Sequence, residues 1–231
     1  MLDNLRARFR AEYRREKAKL AEMSWPDRRW YIWAYYKLHI IIGGLLVLLA
    51  GYCVYFFVIN PPKEYYVSFA LYGEYVPTEV ALQFRQNMNE VLDVNRKKQT
   101  VMTFNFYYNE NNAALSTAMS QKYYALVMVK QLDFILTDSA DFSAMAQNGE
   151  YLPLDQILTE SQLASLGDRV AWEHKSNELT SHPYGLKMDG NPVLYDNNLW
   201  SRGKLLAVCV TTQRKERVAQ TIRVFFPQMG E

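Results

Sequence analysis

Between Ile40 and Ile59 the chain carries no charged residue. Twenty residues at about 1.5 Å each make a helix of about 30 Å, the thickness of a bilayer's hydrocarbon core. A core helix of a soluble domain keeps a polar face, and the run LHIIIGGLLVLLAGYCVYFFVIN (Leu38–Asn60) has none. Gly43, Gly44 and Gly51 weaken a helix in water but are common in membrane spans. His39 falls at the inner edge, where interfacial placement accounts for it.

The flanks separate a retained anchor from a cleaved signal. A signal peptide has a short basic start, a shorter apolar run and a small-residue cleavage site. Here 37 residues precede the run, and Val58-Ile59-Asn60-Pro61-Pro62 follows it with no A-x-A pattern. The segment therefore reads as a signal anchor. Before it stand ten Lys/Arg against five Asp/Glu; after it, 16 stand against 19. The positive-inside rule then predicts a cytoplasmic N-terminus, with the chain after about Pro61 outside the cell membrane.

Composition constrains the outer part. Of the two cysteines, Cys53 lies in the span and Cys209 far beyond it, so no disulfide framework is expected. About 165 residues remain outside, enough for one domain with a hydrophobic core. The expected organisation is a basic cytoplasmic arm (1–37), a transmembrane helix (38–60), a linker (61–64), an extracytoplasmic domain (65–227) and a tail (228–231).

In the arm, Leu2, Leu5, Phe9, Tyr13 and Leu20 recur at helical spacing among Arg and Lys. Such a helix either lies on an anionic membrane surface or is solvated and only sets topology; both readings stand. Ser24 and Asp27 fit a capping pattern, with Pro26 in the first turn. Trp25, Trp30, Trp33, Tyr35 and Tyr36 form an aromatic belt at the inner interface. Because these aromatics abut the span, the belt is preferred to nucleic-acid binding, and the bilayer is the expected partner here.

Beyond Pro61-Pro62, strand and helix patterns alternate. Strands are read at Tyr65–Gly73, Gln99–Tyr108, Leu132–Asp138 and Leu205–Thr212. Helices are read at Pro77–Asp93, Ser139–Gly149 and Arg214–Phe226. Asn112–Gln131 starts as a helix, but its Leu126–Val129 end also suits a strand. Ser139 is the expected N-cap and Gly149 the C′ glycine of their helix. The alternation predicts an α/β fold with a mostly parallel sheet and flanking helices.

Two segments carry a resemblance. DFILTDSADFSAMAQNGEYLPLDQIL is similar to extracellular solute-binding proteins of ABC importers, which commonly read strand, polar turn, helix and then G-x-L-x-P-L-D. Gly149, Leu152, Pro153, Leu154 and Asp155 supply that segment, with Glu150-Tyr151 between. HPYGLKMDGNPVLYDNNLW resembles the family's "YG-x-P" strand leading to "LYYNKDLF", through Pro183-Tyr184-Gly185 and Leu194–Trp200. The resemblance implies one lobe of a periplasmic-binding-protein fold. In the family a whole second lobe follows that landmark; here only Ser201-Arg202-Gly203-Lys204 precede the late strand. It therefore implies a single lobe with an open face, where a small solute binds weakly and a protein is the more natural partner.

Catalytic motifs are absent from the sequence: no G-x-S-x-G, Walker loop, H-E-x-x-H or C-x-x-C. His174 and His182, with Glu173 and Asp189, do not show a metal-ligand spacing. No metal, no cofactor and no enzyme activity are expected. Asp138, Ser139 and Asp141 follow a strand at a helix N-terminus, where open α/β folds place ligands. Capping explains Ser139 without one. Gly73-Glu74-Tyr75 and Tyr184-Gly185 are the other candidate loops, and Met188–Pro192 reads as a turn. The expected function is that of a membrane-anchored extracytoplasmic binding, sensing or accessory protein. The alternative is an extracytoplasmic enzyme with an unrecognised site.

Overall fold

A computed structural model describes residues 2–109, 111–195 and 204–229. The side chains of Leu2, Leu5 and Phe9, the Asp196–Trp200 part of the landmark, the Ser201–Gly203 link and the last two tail residues lie outside the described residues. The chain folds as two compact units, Met1–Pro62 and Lys63–Glu231.

The first unit holds α1 (Leu2–Glu22) and α2 (Trp25–Val54), which continues as a π-helical turn over Tyr55–Ile59. From Trp25 to Ile59 it is long and apolar enough to cross a membrane. Ser24 caps α2 by position, but its hydroxyl binds the Asp27 carboxylate rather than a backbone amide. The Tyr31 and Tyr36 hydroxyls donate to Glu16 Oε2 at 3.0 and 3.5 Å, bringing α1 against α2. Trp25, Trp30, Trp33 and Tyr35 are exposed on α2.

The second unit runs β1 (Glu64–Gly73), α3 (Thr78–Val91), β2 (Gln99–Tyr107), α4 (Ala113–Met128), β3 (Phe134–Asp138), α5 (Ser139–Gln147), α6 (Glu160–Leu166), β4 (Val170–Glu173), β5 (His182–Lys187), α7 (Pro192–Tyr195), β6 (Lys204–Val208) and α8 (Lys215–Phe225). The six strands form one sheet in the order β2-β1-β3-β6-β5-β4. Pairing is parallel in β2-β1-β3 and antiparallel from β3 through β6 and β5 to β4. Strands β1, β2, β3 and β5 thus share one direction, but β6 enters between β3 and β5 the other way. The α/β class holds, while the parallel ladder is confined to one half. The βαβ crossovers that enforce parallel pairing join only β1 to β2 and β2 to β3.

The sheet is covered on both faces. On one side Val67, Phe69, Leu71, Phe134, Leu136, Leu206 and Val208 pack against Phe84 and Met88 of α3, Leu166 of α6 and Val218, Ile222 and Phe225 of α8. Phe69 stacks on Phe134 with centroids 4.9 Å apart and meets Phe84 edge-on at 5.2 Å. On the other side Ala70, Phe106, Ile135, Leu205, Ala207 and Cys209 pack against Tyr123 of α4 and Phe142, Met145 and Ala146 of α5. Central strands buried on both faces explain why β1 and β3 read as near-continuous apolar runs.

Buried polar groups pin the start of β3. Asp133 is fully buried. It accepts from the Ser68 amide at 2.8 Å, the Thr212 hydroxyl at 2.6 Å and Arg214 Nη2 at 2.8 Å. Arg214 Nε adds contacts of 3.1 and 2.9 Å to the two carboxylate oxygens. A buried carboxylate persists only when paired and hydrogen-bonded in this way.

Candidate functional site

Strands β1 and β3 point their carboxyl ends at one edge of the sheet, which brings two of the three candidate loops together. Gly73, the last residue of β1, has φ +107°. A Cβ there would stand 3.4 Å from both Asp138 Oδ2 and Asp141 Oδ2. A Cβ at that distance would be in ordinary contact, so it is the left-handed turn out of β1 that requires the glycine, and the two carboxylates close against that turn.

Asp138 caps α5: its Oδ1 accepts from the Asp141 amide at 3.0 Å. The expected cap, Ser139, is instead the first helical residue and is exposed. Asp138 holds the extended backbone that an N-cap requires, because β3 continues through it. Asp141 is half-buried, and its carboxyl titrates above the ordinary range. Burial is the main cause, the Asp138 charge adds to it, and Lys204 opposes it.

Lys204 completes the group. It opens β6 opposite Asp138, is 6% exposed, and its Nζ lies 3.8 Å from Glu74 Oε2. By sequence it falls in the connecting link, yet it is a strand residue buried at the edge. A lysine just ahead of an apolar run carries no local signal of this. Its role appears only once β6 pairs with β3.

Tyrosines border these charges. Tyr75 lies edge-on to Tyr107 at 4.9 Å, and the Tyr72 and Tyr108 hydroxyls are hydrogen-bonded. Tyr75 is 60% and Tyr108 38% exposed. Tyr72 titrates well above the ordinary phenol range, first through burial and then through its bond with Tyr108. Behind them the Tyr123 hydroxyl donates to Glu150 Oε2 at 2.8 Å. Burial pushes the Glu150 carboxyl up, and that hydrogen bond opposes the shift.

The third candidate loop is elsewhere. Tyr184 and Gly185 lie inside β5, with Gly185 paired to Ala207 and only Lys187 level with Leu205. Tyr184 is fully buried, and its hydroxyl has no hydrogen-bond partner among the described residues. A Cβ on Gly185 would stand 2.5 Å from Phe142 Cε2, so this glycine serves packing against α5. At β5 the edge residue is Met188, whose amide donates to the Lys204 carbonyl at 2.9 Å.

The two histidines lie near carboxylates without forming a cluster. His182 is 3.9 Å from Asp155 and 3.7 Å from Glu178, and His174 is 3.9 Å from Glu173. Among the described residues no group of three His, Cys, Asp or Glu has the geometry of a metal site.

No protein-family model matches the chain, and no curated protein matches its sequence. Among solved structures it is similar to an extracellular solute-binding protein of family 1 from Alicyclobacillus acidocaldarius. The identity is 16% and the TM-score 0.33, over 55% of this chain and 28% of that one. It is also similar to the N-glycan transport solute-binding protein of Streptococcus pneumoniae, in complex with Man5GlcNAc. That match has 12% identity and a TM-score of 0.33, over 56% of this chain and 26% of that one. The chain thus spans just over a quarter of the length of these proteins.

Proposed function

We propose that this chain is a single-pass membrane protein with its N-terminus in the cytoplasm. Its extracytoplasmic α/β domain is a binding or accessory module that presents the carboxyl edge of the sheet to a protein partner. One observation carries the reading: Glu74, Asp138, Asp141 and buried Lys204 gather around Gly73 at an edge bordered by exposed tyrosines. Exposed tyrosines beside fixed charges suit a protein interface, where aromatic side chains anchor and charge sets specificity.

Photocrosslinking in cells from Tyr75 tests this. A discrete protein adduct that weakens in Asp138→Asn/Asp141→Asn is expected. Absence of any adduct, together with a small solute bound below micromolar, would replace the protein partner by a solute. Calorimetry of the domain with sugars, peptides and amino acids supplies that second arm. Weak binding is expected, short of the roughly 8 kcal/mol that micromolar affinity represents.

The raised Asp141 carboxyl is the observation favouring an enzyme, since perturbed acids cluster at catalytic sites. Burial and the Asp138 charge account for that shift without chemistry, and the binding reading is preferred. Turnover of any extracytoplasmic substrate, lost in Asp141→Asn with the fold intact, would reverse the preference.

A further inference from the structure

The opposite, amino edge of the sheet is built differently. The chain enters the domain there: Lys63 precedes β1 and stands four positions after Ile59, the last residue of the apolar helix. Nearby, α4 ends in an apolar tip. Met128 is 81% and Val129 61% exposed. Lys130 follows with φ +58°, and the amides of Lys130 and Gln131 donate to the Val127 and Leu126 carbonyls, each at 3.0 Å. This left-handed stop turns the chain into β3 and leaves both apolar side chains at the rim.

Cations lie along the same edge. An open groove of about 680 Å³ is lined by Gln131, Gln213, Arg214, Lys215 and Arg217. A smaller one of about 140 Å³ is lined by Lys63, Arg85 and Arg96 among others. Lys97 and Lys98 lead into β2 at the same edge and are exposed, as are Lys63, Lys130 and Lys215. Two of these cations are already paired, Arg214 with buried Asp133 and Arg96 with exposed Glu90 at 2.7 Å. The exposed acids here are Glu64, Glu90, Asp93 and Glu216, against exposed Lys63, Arg96, Lys97, Lys98, Lys130 and Lys215, so the exposed balance stays positive, the reverse of the carboxyl edge.

Apolar side chains flanked by lysines are the chemistry of a membrane interface. The apolar tip enters the headgroup boundary while the cations meet lipid phosphates. We propose that the amino edge docks on an anionic phospholipid surface through Met128 and Val129, with Lys63, Lys97, Lys98, Lys130 and Lys215 along the same edge. Its location at the bilayer rests on the anchor reading above. Docking would turn the Glu74–Asp138–Lys204 edge away from the lipid and toward partners.

The test is hydrogen–deuterium exchange on the full chain in two kinds of liposome, phosphatidylcholine alone and phosphatidylcholine mixed with phosphatidylglycerol. Amides of 96–99 and 127–131 should exchange more slowly on the anionic lipid. A slowing on the order of tenfold is expected for a few lysines at a charged surface. Added salt should reduce it, and amides around Gly73 and Asp141 should not change. Both Met128→Asp/Val129→Asp and Lys97→Glu/Lys98→Glu should abolish the difference. Equal exchange on both lipids, or protection that survives both double variants, would overturn the docking. Alkaline extraction of the same liposomes reads the anchor separately: an extracted chain refutes the anchor, while the exchange comparison still decides the docking.

Discussion

Gly185 and Glu150 show how single side chains are set by what packs around them. Adding a methyl at Gly185 drives a carbon to within 2.7 Å of Phe142 Cζ, and Phe142 is itself stacked on Tyr151 at 5.2 Å. Gly185→Ala should therefore cost roughly 1–3 kcal/mol, the usual penalty of overpacking. Chemical denaturation of the domain measures it, and an unchanged midpoint would show that β5 and α5 are not in close contact. Glu150 is a different case. Its carboxyl titrates above its ordinary value of 4.5 in the folded state because it is half-buried. Such a group supports folding fully below the unfolded value and loses that support as pH rises through the folded one. Glu150→Gln keeps an acceptor for Tyr123 and removes the buried charge. It should raise the melting temperature at pH 7.5 by on the order of 2 °C, and the gain should vanish near pH 4.5. A variant less stable at pH 7.5 would show that the Tyr123 bond outweighs desolvation.

Between elements, the Asp133–Arg214 pair joins the start of β3 to the start of α8. It bridges residues far apart in sequence, and its carboxylate is sealed from water. Arg214→Met would leave Asp133 charged, buried and short of its strongest partner. The expected loss is about 3–5 kcal/mol, the range for breaking a buried pair from one side. Thermal unfolding checks it, and a loss under about 1 kcal/mol would mean that Thr212 and Ser68 suffice. Not all elements are equally open to reading from sequence. Helices α3, α5 and α8 follow helical periods, strands β1 and β2 are runs of strong β-formers, and all five lie within a few residues of their expected positions. The Leu126–Val129 ambiguity resolves as helix, because α4 runs on to Met128 before the left-handed Lys130 stops it. The stretch over α6 and β4 carries no long apolar period and gives no assignment; β4 is only four residues long.

For the whole molecule, the two core clusters draw all their residues from the second unit. The domain expressed from Lys63 should then be soluble and unfold in one cooperative transition; aggregation relieved only by a partner would show that its open edge is an obligate interface. In spheroplasts, added protease should digest this domain, and its protection behind an intact membrane would overturn the proposed topology. The charge-free helix, the change of charge balance across it and the α/β alternation were determined by the sequence alone. They depend on length, charge count and periods of 2 and 3.6 residues, which neighbours along the chain specify. The sheet order, the reversed entry of β6, the burial of Tyr184 and the meeting of Gly73, Asp138, Asp141 and Lys204 were decided only by the tertiary structure. Each depends on which distant strands pair to bury both faces of the sheet, and no local window of sequence contains that competition.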